Sequence, residues 1–240
     1  MCTSLGEALG ALHNLPYNNA GFGDRGAPWP LSLGCPDLAI LYQVSAASIE
    51  LLKIVQHSPD LSRALAALGD QWGRHSLVHF DIRLDNCLAT PNAELRIVDW
   101  ELIGAGDPCW DTGSFFADFL SCWVLSMPIT QHTKLDRLPY LAARRLTTFQ
   151  PGIRAFWRSY VRSIGVSAAE AEKRLLRSVR YAAARLVQAA FEWTQDSAQP
   201  SAHMMVALQL SQNILKRPEE AVVRLLGISG DSRESVCPSD

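Results

Sequence analysis

Apolar residues recur along most of the chain at the three- and four-residue spacing of an amphipathic helix. Leu5, Leu9 and Leu12 share one helical face, in a segment that stops before Pro16. A turn-rich stretch from Tyr17 to Pro36 follows. Ser58-Pro59 reads as an N-cap with proline in the first turn, opening a helix with the stripe Leu61, Leu65, Leu68 and Trp72. Between Leu77 and Asp99 the period changes. Leu77-Val78-His79, Cys87-Leu88-Ala89 and Leu95-Arg96-Ile97-Val98 are short, turn-bounded and strand-like. After Asp111 helices return. Ser167-Ala168-Ala169-Glu170 has the form of a capping box, and the helix it opens turns Leu175, Val179, Leu186 and Trp193 towards a core. Further helices are predicted over about 201–215 and from Pro218 to Gly227, and the stretch 229–240 has no period. The pattern predicts a mainly α protein with a small β-hairpin region in its middle: one body over residues 1–228 and a flexible tail over 229–240.

Composition supports a packed chain. Of 240 residues, 48% are hydrophobic and 19% charged, which excludes disordered, collagenous and coiled-coil classes. A net charge of −2 gives no global reason to bind nucleic acid or a membrane. No signal-peptide pattern opens the sequence and no apolar run reaches membrane-spanning length, so a cytoplasmic location is expected. The six cysteines form no CxxC pair and read as reduced, packed thiols. The tryptophans read as core or interface anchors. The charge is uneven: residues 1–111 carry 13 acidic and 6 basic side chains, and residues 112–240 carry 11 acidic and 16 basic.

Polar groups concentrate in the hairpin region. His79-Phe80-Asp81-Ile82-Arg83-Leu84-Asp85-Asn86 is a strand end, a polar loop and a strand start, and a later apolar strand ends in Asp99-Trp100-Glu101. Adjacent strands of this kind would deliver Asp81, Asn86 and Asp99 to one rim. A carboxylate and an amide oxygen suit Mg²⁺, which takes oxygen ligands and keeps several waters. A second carboxylate beside them can accept or orient a hydroxyl proton, the equipment of phosphoryl transfer. Gly21-Phe22-Gly23-Asp24-Arg25-Gly26 matches GxGxxG, but it follows a helix rather than a strand, and Pro28 and Pro30 block a helix after it. The lone histidines, His13 among them, read as surface or packing residues.

HxDxxxxN, a strand ending in Asp-Trp-Glu, and Gly106-Asp107-Pro108-Cys109-Trp110-Asp111 together resemble the C-terminal lobe of the aminoglycoside phosphotransferase and choline kinase family, which writes these stretches HGDxHxxN, (I/V)DWE and GDPxxDL. The helix Leu5–His13 is similar to that family's LGxxLxxLH helix. The resemblance implies a protein kinase-like C-lobe and an ATP- or GTP-dependent phosphotransferase using Mg²⁺. In that reading Asp81 is the catalytic aspartate, Asn86 and Asp99 are the magnesium ligands, and His79 braces the loop without touching substrate. Asp111 resembles a helix cap, Phe80 stands where the family usually has glycine, and Arg83 has no assigned role.

The family's N-terminal lobe, with its phosphate-covering loop and strand lysine, is expected to be absent from these 240 residues, because Lys53 lies in a helical pattern. A partner subunit supplying that lobe, a truncated piece and a non-catalytic binding or scaffold module are the open alternatives. The acceptor is expected to be a small molecule or a Ser/Thr-bearing peptide. The arginine-rich helical half disfavours a polycationic acceptor. The run from Leu208 to Leu226 also resembles kinase-like proteins that modify lanthipeptide-type precursors.

Overall fold

The computed structural model describes residues 1–16, 26–34, 44–92, 94–128 and 142–229. The GxGxxG stretch, apart from Gly26, and the tail beyond Ser229 lie outside the described residues, as do Cys35 and Cys237.

Helix α1 spans Cys2–His13, and its buried stripe is Leu5, Leu9 and Leu12. Gly6 and Gly10 share the buried side. An added methyl at either position would collide with Phe156 O or Ser163 Cβ, so the glycines let α1 lie directly on α5 (Leu146–Ile164). Helices α2 (Ala46–Gln56) and α3 (Pro59–Asp70) follow, then α4 (Pro108–Leu125), α6 (Ala168–Glu192), α7 (Ala202–Lys216) and α8 (Pro218–Arg224). Ser167 caps α6 by accepting the Glu170 N–H, but Glu170 pairs forward with Arg174 instead of reaching back, so half of the capping box forms. At α3, Ser58 holds the N-cap position without a capping bond from its side chain.

Helix α4 is buried on nearly every side and packs along α6. One core cluster joins α1, α4, α5 and α6 through Phe115, Phe116, Phe156, Trp157 and Tyr160. A second joins α2, α3, α6 and α7 around Trp110 and Tyr181. Each of these large side chains contributes about 1.5–3 kcal/mol by leaving water. Trp100, by contrast, is exposed.

Among the described residues the β structure is two separate antiparallel pairs. β2 (Cys87–Ala89) and β3 (Leu95–Ile97) form the expected hairpin, with Cys87 opposite Ile97. β1 (Ser76–Val78) pairs instead with β4 (Gly104–Gly106), a strand that the sequence pattern does not predict because Gly-Ala-Gly carries no strand signal. His79 and Val98 fall just past the strands expected to contain them. Among the described residues no helix is long and apolar enough to cross a membrane. Cys2, Cys87, Cys109 and Cys122 are free thiols, and burial raises the pKa of each, Cys87 to about 11.

Candidate active site

The loop from His79 to Asn86 lies along α4, held by carboxylates seven residues apart on one helix face. Asp111 accepts the backbone N–H of His79 on Oδ2 at 2.8 Å and that of Phe80 on Oδ1 at 3.0 Å. Asp118 accepts the Leu84 N–H at 2.6 Å. Trp110 Nε1 donates to the Phe80 carbonyl at 3.0 Å. Asp111 is therefore not the helix cap: that role belongs to Asp107, which accepts the Cys109 N–H and is itself held by Arg177 and Tyr181. The preceding elements dictate this, since Pro108 at the first helical position leaves Asp107 as N-cap and turns Asp111 inward. Asp111 is fully buried and also takes His13 Nε2 at 3.2 Å, while His13 Nδ1 meets the Tyr160 hydroxyl at 2.9 Å. His13 thus links α1 to the loop, a role beyond the packing expected of it.

His79 is fully buried. Its Nε2 donates to the Val98 carbonyl at 2.9 Å, which leaves Nδ1 to accept the Asp81 N–H at 3.3 Å. The ring therefore ties the end of β3 to the start of the loop, with Trp100 against its face. Phe80 sits at φ 72°, in the left-handed region where a side chain costs roughly 1–2 kcal/mol relative to glycine. Its ring packs near Trp72, so the departure from glycine adds a contact and keeps the strained turn.

Asp81 and Asn86 are in contact at one end of the β2–β3 hairpin, where the backbone also brings Asp99. Asn86 Nδ2 donates to the Asp81 carbonyl at 2.9 Å and to Oδ2 at 3.2 Å, which points the Asn86 Oδ1 away from that pair. Val98 N–H donates to the Asn86 carbonyl, and Asp99 is the next residue along. Asp99 has φ 65° and is exposed, with no hydrogen bond or ion pair from its side chain among the described residues. Among the described residues neither the Asn86 Oδ1 nor the Asp99 carboxylate accepts a hydrogen bond, and oxygen donors of these two types suit Mg²⁺. Among the described residues no cluster of three His, Cys, Asp or Glu side chains forms a metal cage.

Asp81 has further neighbours that the sequence does not announce. Its Oδ1 accepts Arg185 Nη2 at 3.0 Å and lies 3.4 Å from Arg83 Nε. Glu192 anchors both arginines, through Arg185 Nη1 at 3.1 Å and Arg83 Nη2 at 2.9 Å, and takes Gln188 Nε2 at 3.0 Å. Burial opposes ionisation of Glu192, but Arg185 and Arg83 outweigh it and hold the carboxyl below its ordinary value. The same carboxylates, against the effect of burial, raise the Arg83 guanidinium. Burial pushes Asp118 up despite the Leu84 N–H and the nearby arginines. A pocket of about 380 Å³ opens beside this network, with Ile82, Arg83, Asp118, Arg185, Glu192 and Trp193 in its wall. Of the arginines in the helical half, Arg174, Arg177 and Arg185 are engaged by Glu170, Asp107 and Glu192. In the pocket wall Asp85, Asp118 and Glu192 stand against Arg83 and Arg185. The whole-half charge count therefore does not set the character of the pocket.

No curated protein matches the sequence. The family model described as the phosphotransferase enzyme family matches residues 1–148, a span that runs from α1 through the loop, both strand pairs and α4. With more than half of its length matched, the chain belongs to this phosphotransferase family, the aminoglycoside phosphotransferase and choline kinase-like group.

Proposed function

We propose that this chain is the C-terminal, protein kinase-like lobe of an enzyme that moves the terminal phosphoryl group of ATP or GTP to a hydroxyl. The observation that carries the reading is the bonded pair Asp81 and Asn86 at the hairpin end that also holds Asp99, whose side chain has no partner among the described residues. Asn86 Oδ1 and Asp99 would hold Mg²⁺, which when bound neutralises phosphate charge and orients the nucleotide. Asp81 accepts the hydrogen bond of the acceptor hydroxyl and takes its proton as the new O–P bond forms and the bond to the nucleoside diphosphate breaks. His79 holds the Asp81 backbone, and Asp111 and Asp118 hold the loop.

The triphosphate grip has to come from elsewhere than the described residues. Lys53, the one lysine ahead of the loop, is on α2 and pairs with Glu50 in solvent. A further lobe or a partner subunit supplies that grip in this proposal. The acceptor, a small molecule or a Ser/Thr side chain of a peptide, enters the pocket beside Arg185 and Trp193, whose volume is in the range of small-ligand sites. Transfer from radiolabelled Mg·ATP and Mg·GTP to aminoglycosides, choline, homoserine and a Ser-bearing peptide tests the reading. Turnover that disappears in Asp81→Asn is expected, and turnover unchanged by that substitution would refute it.

A further inference from the structure

Arg185 is about 5% exposed on α6, a helix whose other arginines reach solvent to a greater degree. A guanidinium is buried at such a place only when carboxylates satisfy it. Its two terminal nitrogens divide between Glu192 Oε1 and Asp81 Oδ1, so one planar fork spans the gap between helix end and loop. Glu192 lies seven residues on, on the same face of α6, and its own loading by Arg83 and Gln188 fixes where that fork points.

Backbone retention does not require this contact. The loop is already fastened through the N–H groups of His79, Phe80 and Leu84 and through the Phe80 carbonyl. Arg185 instead touches the Asp81 carboxylate itself. Each carboxylate oxygen has two lone-pair directions. On Oδ1 one faces Arg185, while Arg83 Nε lies 3.4 Å away without a hydrogen bond, and on Oδ2 one faces the Asn86 amide. Oδ2 keeps a second direction with no donor among the described residues.

We propose that Arg185, anchored by Glu192, is a positioning residue that fixes the Asp81 carboxylate so that Oδ2 meets the acceptor hydroxyl. This rests on the reading of Asp81 as the proton-accepting residue. The role belongs to arginine, because a lysine ammonium lacks the fork that reaches two carboxylates in fixed directions.

The experiment compares kcat and KM on the intact protein for radiolabelled Mg·ATP with the acceptor panel above, and with water as acceptor. Arg185→Met lowers kcat roughly tenfold to hundredfold while KM for Mg·ATP stays within about twofold. Arg185→Lys recovers part of kcat, and Arg185→Met added to Asp81→Asn causes no further loss. A kcat near wild type in Arg185→Met, with Asp81→Asn inactive, overturns the positioning role alone. Wild-type turnover in Asp81→Asn overturns the reading of Asp81, and this role with it. Thermal melting of the same four proteins gives a readout independent of turnover. The Tm decrease caused by Arg185→Met should shrink when residue 81 is asparagine, and equal decreases in both backgrounds overturn the proposal even where no probe is turned over.

Discussion

Two aspartates at the same hairpin end have opposite surroundings. Asp81 has both carboxylate oxygens engaged, by Arg185, Arg83 and Asn86. Asp99 stands exposed with no side-chain partner among the described residues. Both adjoin strained backbone: Phe80, just before Asp81, and Asp99 itself are the non-glycine residues with positive φ among those described. In the proposed function the contrast matches two tasks. A group that takes a proton at one point in space needs fixed orientation. A group that binds an ion that comes and goes with the nucleotide works best when no protein cation competes for it.

The largest effect that breaks the contrast is at its held side. Asp81→Asn is expected to lower phosphoryl transfer by ~10²–10⁴-fold, and also to lower Tm, because buried Arg185 loses half of its charge compensation. Initial-rate and calorimetric measurements check both. Next comes the support beneath it. Asp111→Ala leaves the buried N–H groups of His79 and Phe80 and the ring of His13 without their acceptor, at a cost of about 3 kcal/mol in denaturant unfolding. The free side behaves differently. Asp99→Ala is expected to change unfolding free energy by less than about 0.5 kcal/mol, yet to weaken Mg·nucleotide binding more than Asn86→Ala does, since a full charge outweighs a dipole. Calorimetric titration of both variants decides the order, and reversed effects would count against the assignment.

The smallest effect sharpens the electrostatics around the loop. Asp118 is raised in the folded state, so its contribution to stability is present below the ordinary carboxyl range and is lost as pH climbs through the raised value. Glu192 is lowered, so its contribution is present above its ordinary value and is lost as pH falls through the depressed one. From pH 3 to 7, Asp118→Asn should therefore gain on the wild type and Glu192→Gln should fall behind it. Denaturant melts across that range test the two opposite slopes.

What the sequence discloses follows range along the chain. Asp81, Asn86 and Asp99 are within twenty residues, and a strand–loop–strand pattern is enough to bring them to one end. The cap expected at Asp111 falls on Asp107, and the signal for that is Pro108 at the first helical position, which marks the residue before it. Asp118 left only the trace of an acid in an apolar run. Arg185 and Glu192 gave no usable signal, since an arginine-rich helix with interspersed acids describes any solvated face, and nothing local says which arginine turns inward. β4 was hidden because its pairing, not its composition, makes it a strand.

The docking of α1 on α5 has a consequence for biosynthesis. Asn14 bonds to Ser163 across 149 positions and Asp81 to Arg185 across 104. At about 5–20 residues per second, a ribosome needs roughly 5–20 s to travel from Asp81 to Arg185. Until Ile164 has been made, Leu5, Leu9 and Leu12 have no complete α5 to cover them, and Asp81 lacks Arg185 for the whole interval. The nascent chain thus presents an uncovered leucine stripe, a target for chaperones, and the contacts of the Asp81 loop become complete only when the end of α6 has been made.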